Sequence, residues 1–432
     1  MDNNKVIKIG HEFPWESLAI SVFFILSAQF INRVFLWIPF IIQLYRVLRY
    51  DEHVFMVDLA FIVNFGTIFR LPIGGAVGII IVFADICFLF SRHKYPLTSS
   101  LVIAPIIIGY LFFRSSGKFI DYMFIASVLL LLYLLMNTCT FQDSLYIARA
   151  FIYGILIASI YGFVFRGSSA ISYYIADDSA AIYGVQDAFR FRAIFGDSNY
   201  YSCYLILGII LTIELYVLKQ SKLWHTVLVL VLFTGFGIAT YSRTFFLMLV
   251  LLLLCSIYLL FKKQKKSVAI LLIIVCVIVV IMIFAGKISI FNVVLSRLFL
   301  NEGLSGLTSG RNELFTSYGS YIMDNSKVFF IGEGLGADLL SGIGTHNIYM
   351  EIIYFTGILG GGLYFMYIFT LVRIILRKKK RRYNWIQFLI SVLPLSILLI
   401  LYFTLQGMFM TTTYILFFVA ITSMLLPLVE KK

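Results

Sequence analysis

The chain has 432 residues, of which 61% are hydrophobic and only 13% charged, with a net charge of +13 and a mean hydropathy of +0.98. A soluble domain carries roughly 45–50% apolar and about 25% charged residues, so this composition excludes a soluble globular fold, disorder and a collagen-like fibre. Long apolar runs separate the basic residues, which leaves no continuous basic face for nucleic acid.

A membrane-spanning helix needs about 20 apolar residues, because lipid offers no partner to an open backbone group. The N-terminal part, residues 1–166, predicts spans near 15–31, 34–48, 54–70, 73–91, 98–113, 119–137 and 144–166. Lys5 and Lys8 precede the first run, and no small-residue cleavage site follows it, so it reads as a retained span. A first outer loop occupies 167–198. Residues 199–285 predict spans near 199–217, 223–240, 244–261 and 267–285. A second outer loop fills 286–346, and the C-terminal part, 347–432, predicts spans near 347–371, 385–405 and 408–429. The expected fold class is therefore an all-α polytopic integral membrane protein, with about 12–14 transmembrane helices and two long extracytoplasmic loops.

Charge sets the expected orientation. With both termini inside, the strongest clusters fall on the cytoplasmic side: KKQKK at 262–266, RKKKRR at 377–382, and Lys431 and Lys432. The cysteines (Cys87, Cys139, Cys203, Cys255, Cys276) all lie in or beside apolar runs and form no CxxC pair, so neither a disulfide framework nor a thiolate metal site is indicated. The charges Asp58, Asp85, Asp121 and Arg149 fall within predicted spans, where they read as internal pairs or interface residues. No matching pair of Gly/Pro-broken spans marks a transporter site.

Chemistry-bearing residues gather in the outer connections. The first long loop ends with Arg190, Arg192, Asp197 and Asn199 directly before a span. Asp197, Ser198 or Asn199 could simply cap that helix, but two arginines on the outer face run against the positive-inside rule. Between two apolar spans, Arg243 follows Ser242; it either snorkels to the interface or serves a function. In the second long loop Arg311 opens the segment 311–323, where Leu314, Tyr318, Tyr321 and Ile322 could form the apolar face of a helix lying on the membrane. IGEGLG at 331–336 follows no strand and reads as a flexible turn rather than a phosphate cradle. His346 is the one histidine on the outer side in this topology, followed by Asn347 and Glu351; it is either a cap or a general base at the water–lipid boundary.

The succession RFRAIFGDSN at 190–199, YSRT at 241–244, SGRN at 309–312, THNIYME at 345–351 and GILGG at 357–361 resembles the bacterial O-antigen ligase and O-antigen or capsular polysaccharide polymerase superfamily. The resemblance covers roughly residues 185–375. It implies an enzyme of the cytoplasmic membrane, acting on its extracytoplasmic face, that transfers glycan from undecaprenyl pyrophosphate to an acceptor sugar hydroxyl. No cofactor and no metal are implied. Arg192, Arg243 and Arg311 would hold the pyrophosphate, His346 and Arg311 would act in catalysis, and Arg190, Asp197, Asn199, Asn347 and Glu351 would support them. The implied partners are the lipid-linked glycan, membrane lipid and a chain-length regulator. A polymerase is the expected activity. An O-antigen ligase acting on lipid A–core is the alternative, and a transporter of lipid-linked oligosaccharide is the reading from another class.

Overall fold

The computed structural model describes residues 15–49, 52–65, 119–165, 190–195, 197–262, 311–335, 337–340, 344–378, 385–405 and 411–426, with Ile86, Ile106 and Tyr110 besides. The spans expected near 73–91, 98–113 and 267–285, and most of both long loops, lie outside the described residues.

Among the described residues the chain is helical, with no strand. The helices are α1 (Trp15–Phe30), α2 (Trp37–Arg49), α3 (Glu52–Ile62), α4 (Phe119–Thr138), α5 (Phe141–Val164), α6 (Ser198–Val217) and α7 (Leu223–Ala239). They continue with α8 (Arg243–Lys262), α9 (Arg311–Asp324), α10 (Ser326–Ile331), α11 (Ile348–Lys378), α12 (Trp385–Leu401) and α13 (Thr411–Ser423). Three of these, at Phe141–Val164, Ser198–Val217 and Ile348–Arg377, are long and apolar enough to cross a membrane.

The helix starts follow local chemistry. Thr140 and Asp143 form a capping box at the start of α5, each side chain bonding the other's backbone N–H. Asp197 caps α6, accepting from the backbone of Asn199 and Tyr200.

The core centres on α5 and α6, which run antiparallel. At one end the Tyr201 hydroxyl donates to Ser159 Oγ at 2.7 Å. At the other, Arg149 donates to the Gln220 carbonyl at 3.1 Å, and Tyr153 meets His225 at 3.3 Å. Gly208 lets the Phe233 ring of α7 approach α6, since a Cβ there would sit 2.6 Å from it. α13 lies against α5 with its C-terminal turn at the Arg149 end, where Ser144 Oγ donates to the Thr422 carbonyl. α12 packs on both α13 and α6, so its own C-terminus reaches the Tyr161 end of α5. Asp58 of α3 pairs with Arg46 of α2, both oxygens accepting from one guanidinium nitrogen at 2.6 and 2.8 Å.

Candidate functional site

The first two candidate segments meet at the Tyr161 end of α5. The backbone of Phe191 donates to the Ala239 carbonyl at 2.9 Å, and Arg190 Nε donates to the Thr240 carbonyl at 3.1 Å. The Phe191 ring stacks on Phe236 of α7 and meets Tyr201 edge-on. Gly162 makes room for this strand of chain, because a Cβ there would stand 2.7 Å from the Ala193 Cα. These contacts hold 190–195 against three helix ends. The side chains of Arg192 and Arg243 are both half-buried.

The turn between α7 and α8 is built from hydroxyls. Thr240 Oγ1 donates to the Gly237 carbonyl at 2.6 Å and accepts from the Ser242 backbone at 3.1 Å. Ser202 Oγ of α6 meets the same Thr240 oxygen at 3.1 Å. Thr240, Ser242 and Ser202 are fully buried, so each hydroxyl satisfies a group that burial would otherwise leave unpaired. Ser242 Oγ donates to Asn199 Oδ1 at 3.1 Å, and Arg190 Nη2 donates to that same oxygen at 3.3 Å. Asn199 thereby ties the segment that carries Arg192 to the turn that carries Arg243.

The third segment stands at the start of α11. Thr345 Oγ1 bonds the backbone of Asn347 on both sides, donating to its carbonyl at 2.9 Å and accepting from its N–H at 3.2 Å. Asn347 Oδ1 accepts from the backbone of Tyr349 at 3.0 Å and of Met350 at 3.3 Å, so Asn347 is the cap of α11 and His346 is not. The Ile348 backbone donates to the Tyr402 carbonyl at 2.9 Å, and the Tyr349 hydroxyl to the Leu399 carbonyl at 2.6 Å. These two bonds fix the segment to the end of α12, on the same end of the fold as the arginine segments. His346 is half-buried and Glu351 buried.

α9 and α10 cover this region. The apolar face expected to lie on the membrane is turned inward instead: Tyr318 and Ile322 are buried, and the Tyr318 ring meets Tyr354 of α11 edge-on. Burial raises the Tyr318 phenol pKa above its usual value, and the Glu351 charge adds to this. The Tyr321 hydroxyl donates to Glu333 at 2.5 Å, and this bond raises its pKa as well. Arg311 is the first residue of α9, two turns before Tyr318, which places its backbone on the α11-facing side; its side chain lies outside the described residues.

The glycine segment expected to be a flexible turn is a docked connection. Gly332 has φ 74° and Gly357, inside α11, has φ 63° and ψ −176°. A Cβ on Gly332 would stand 2.3 Å from the Phe355 carbonyl carbon, and one on Gly357 2.4 Å from the Phe330 carbonyl. Two backbones therefore cross in contact, with glycine on both. The break at Gly357 frees helix carbonyls, and three of them find donors outside the helix: Tyr354 from Glu333 N–H, Phe355 from Gly334 N–H, and Thr356 from the Tyr110 hydroxyl at 2.6 Å.

Four non-glycine residues among those described lie in the left-handed region: Ala193 (φ 46°), Lys219 (φ 59°), Tyr241 (φ 49°) and His346 (φ 49°). Lys219 ends α6 in a Schellman-type turn, with Gln220 N–H bonded to the Leu215 carbonyl. The other three adjoin Arg192, adjoin the Ser242–Arg243 pair, and coincide with His346. Such conformations cost roughly 1–3 kcal/mol each and gather where function requires a fixed geometry. The sequence carries no sign of them, since alanine, tyrosine and histidine do not announce a positive φ. The hydrogen bonds of Thr240 and Ser242 and the docking of Tyr318 on α11 are likewise not legible in the sequence, because they arise from contacts distant along the chain. Searches against family models, curated proteins and solved structures give no match for this chain.

Proposed function

We propose that this chain is a polysaccharide polymerase of the bacterial cytoplasmic membrane, transferring glycan from undecaprenyl pyrophosphate to an acceptor sugar hydroxyl on the outer leaflet. The observation that carries the reading is the strain pattern. Arg192, Arg243 and His346 each lie at or within two residues of a non-glycine left-handed backbone, and the two arginine segments are bonded together through Asn199. The motif succession that resembles O-antigen ligases and polymerases falls on these same segments.

In this reading Arg192, Arg243 and Arg311 grip the pyrophosphate. The planar guanidinium bonds phosphoryl oxygens bidentately and keeps its charge beside lipid. The acceptor oxygen attacks the anomeric carbon while the bond from that carbon to the pyrophosphate oxygen breaks. His346 takes the acceptor proton, and the arginines stabilise the negative charge that gathers on the leaving pyrophosphate. One direct displacement inverts the anomeric centre. Asn347 and Thr345 hold His346 in place, and Glu351 stands one turn inside the same helix. The Tyr161 end of α5 is then extracytoplasmic, and the whole chain is a polytopic protein of about 12–14 spans.

Deletion of the gene, followed by gel analysis of surface polysaccharide, tests the reading. Collapse of the ladder to a single repeat unit is the expected result. Lipid-linked polymer with bare lipid A–core would make the chain a ligase, and repeat units stranded on the inner leaflet would make it a transporter.

A further inference from the structure

Asn199 does more than the fold asks of it. Its Oδ1 accepts from Arg190 Nη2 and from Ser242 Oγ, which occupies both lone pairs. A guanidinium has no acceptor, so turning the amide over would set two donors face to face. The amide nitrogen is therefore held on the side away from Arg190. No acceptor among the described residues meets it, and Asn199 is half-buried. Capping of α6 does not use it either, because Asp197 serves that end. For packing alone, aspartate at 199 would serve as well or better, since a carboxylate accepts from an arginine more strongly than an amide oxygen does.

We propose that Asn199 is an anion ligand, its fixed amide N–H pair donating to a phosphoryl oxygen of the pyrophosphate gripped by Arg192 and Arg243. This rests on the proposed function. The side chain sits between the two arginine-bearing segments, bonded to the residue two before Arg192 and to the residue one before Arg243. A neutral donor there adds a directed bond without adding repulsion to two nearby guanidinium groups.

The test compares Asn199→Asp with Asn199→Ala in the full-length protein in lipid nanodiscs, measuring binding of unglycosylated undecaprenyl pyrophosphate and glycan transfer. A ligand role predicts that Asn199→Ala loses about 10-fold or more in affinity, the usual worth of a hydrogen bond to a charged group. Asn199→Asp loses at least as much, because a carboxylate replaces the donor with a negative charge. An aspartate variant that binds like wild type overturns the inference and reduces Asn199 to a tie between segments. Should the aspartate variant fail to reach the membrane, Asn199→Ala is set against Ser242→Ala, which removes one donor to Oδ1 but keeps the amide N–H. A several-fold greater loss in Asn199→Ala supports the ligand, and equal losses overturn it. Wild-type protein that binds undecaprenyl pyrophosphate but joins no sugars refutes the proposed function and leaves the ligand standing; wild type that binds none refutes both.

Discussion

At the scale of the residue, His346 holds the most informative contradiction between stability and use. Its φ of 49° suits glycine, and capping of α11 is done by Asn347. His346→Gly should leave stability unchanged or slightly raised, within about 1 kcal/mol, because relief of left-handed strain offsets the added chain entropy. The same change should lower turnover by roughly 10²–10⁴-fold, the usual contribution of a general base, with donor affinity nearly unchanged. Thermal unfolding and single-turnover transfer on the same preparation give the two numbers, and an active glycine variant would move the search for a base to Asp197 and Glu351. Asp197 is the weaker of these, since its carboxylate already accepts two backbone bonds. For the arginines, Lys in place of Arg243 or Arg192 should lose most activity at matched abundance, because a point charge cannot reproduce a bidentate grip. Full activity in either lysine variant would reduce that position to an interface anchor.

At the scale of the element, α11 runs from Ile348 to Lys378, and its 31 residues would span about 46 Å as one helix at about 1.5 Å per residue, well beyond a ~30 Å hydrocarbon core. The break at Gly357 resolves the excess. Ile358–Lys378 remains as a span-length helix, while Ile348–Tyr354, which carries Glu351 of the candidate site, packs against α9 and α10. Helix periodicity and hydropathy made the positions of α5, α6, α7 and α8 legible in the sequence, because each is an apolar run bounded by polar turns. The break was not legible. GILGG at 357–361 enters the sequence reading only as one motif of the succession, and only the crossing with Gly332 shows that a bare Cα is required at Gly357. Gly357→Ala should destabilise the protein by at least about 3 kcal/mol, from the glycine-only backbone and the contact with Phe330 together. Hydrogen exchange should show that loss first in α9 and α10, and a variant with native exchange there would mean that the crossing is not what fixes the cover.

At the scale of the whole molecule, charge patterning and one buried pair constrain how the helices assemble. Arg46 and Asp58 are both buried; from sequence Asp58 reads as an internal pair or an interface residue, and its partner on α2 is named only by the fold. Removing one member leaves a buried charge alone, so Asp58→Leu should cost about 3–5 kcal/mol, whereas replacing both by apolar residues of similar volume should come out near neutral. Orientation is the larger question, since all three candidate segments must share one face for the proposed chemistry. Ser320 on α9 is exposed, and it offers a clean probe on the cover of the candidate site. In a variant lacking the native cysteines, Ser320→Cys should react with a membrane-impermeant maleimide added outside intact spheroplasts. Cysteines placed in 262–266 or 377–382 should react only after permeabilisation, because the positive-inside rule assigns lysine and arginine clusters to the cytoplasmic side. Labelling of position 320 only after permeabilisation would put α9, and the start of α11 that it covers, on the cytoplasmic face. There no outer-leaflet acceptor could reach His346, and the polymerase reading would fall with the topology.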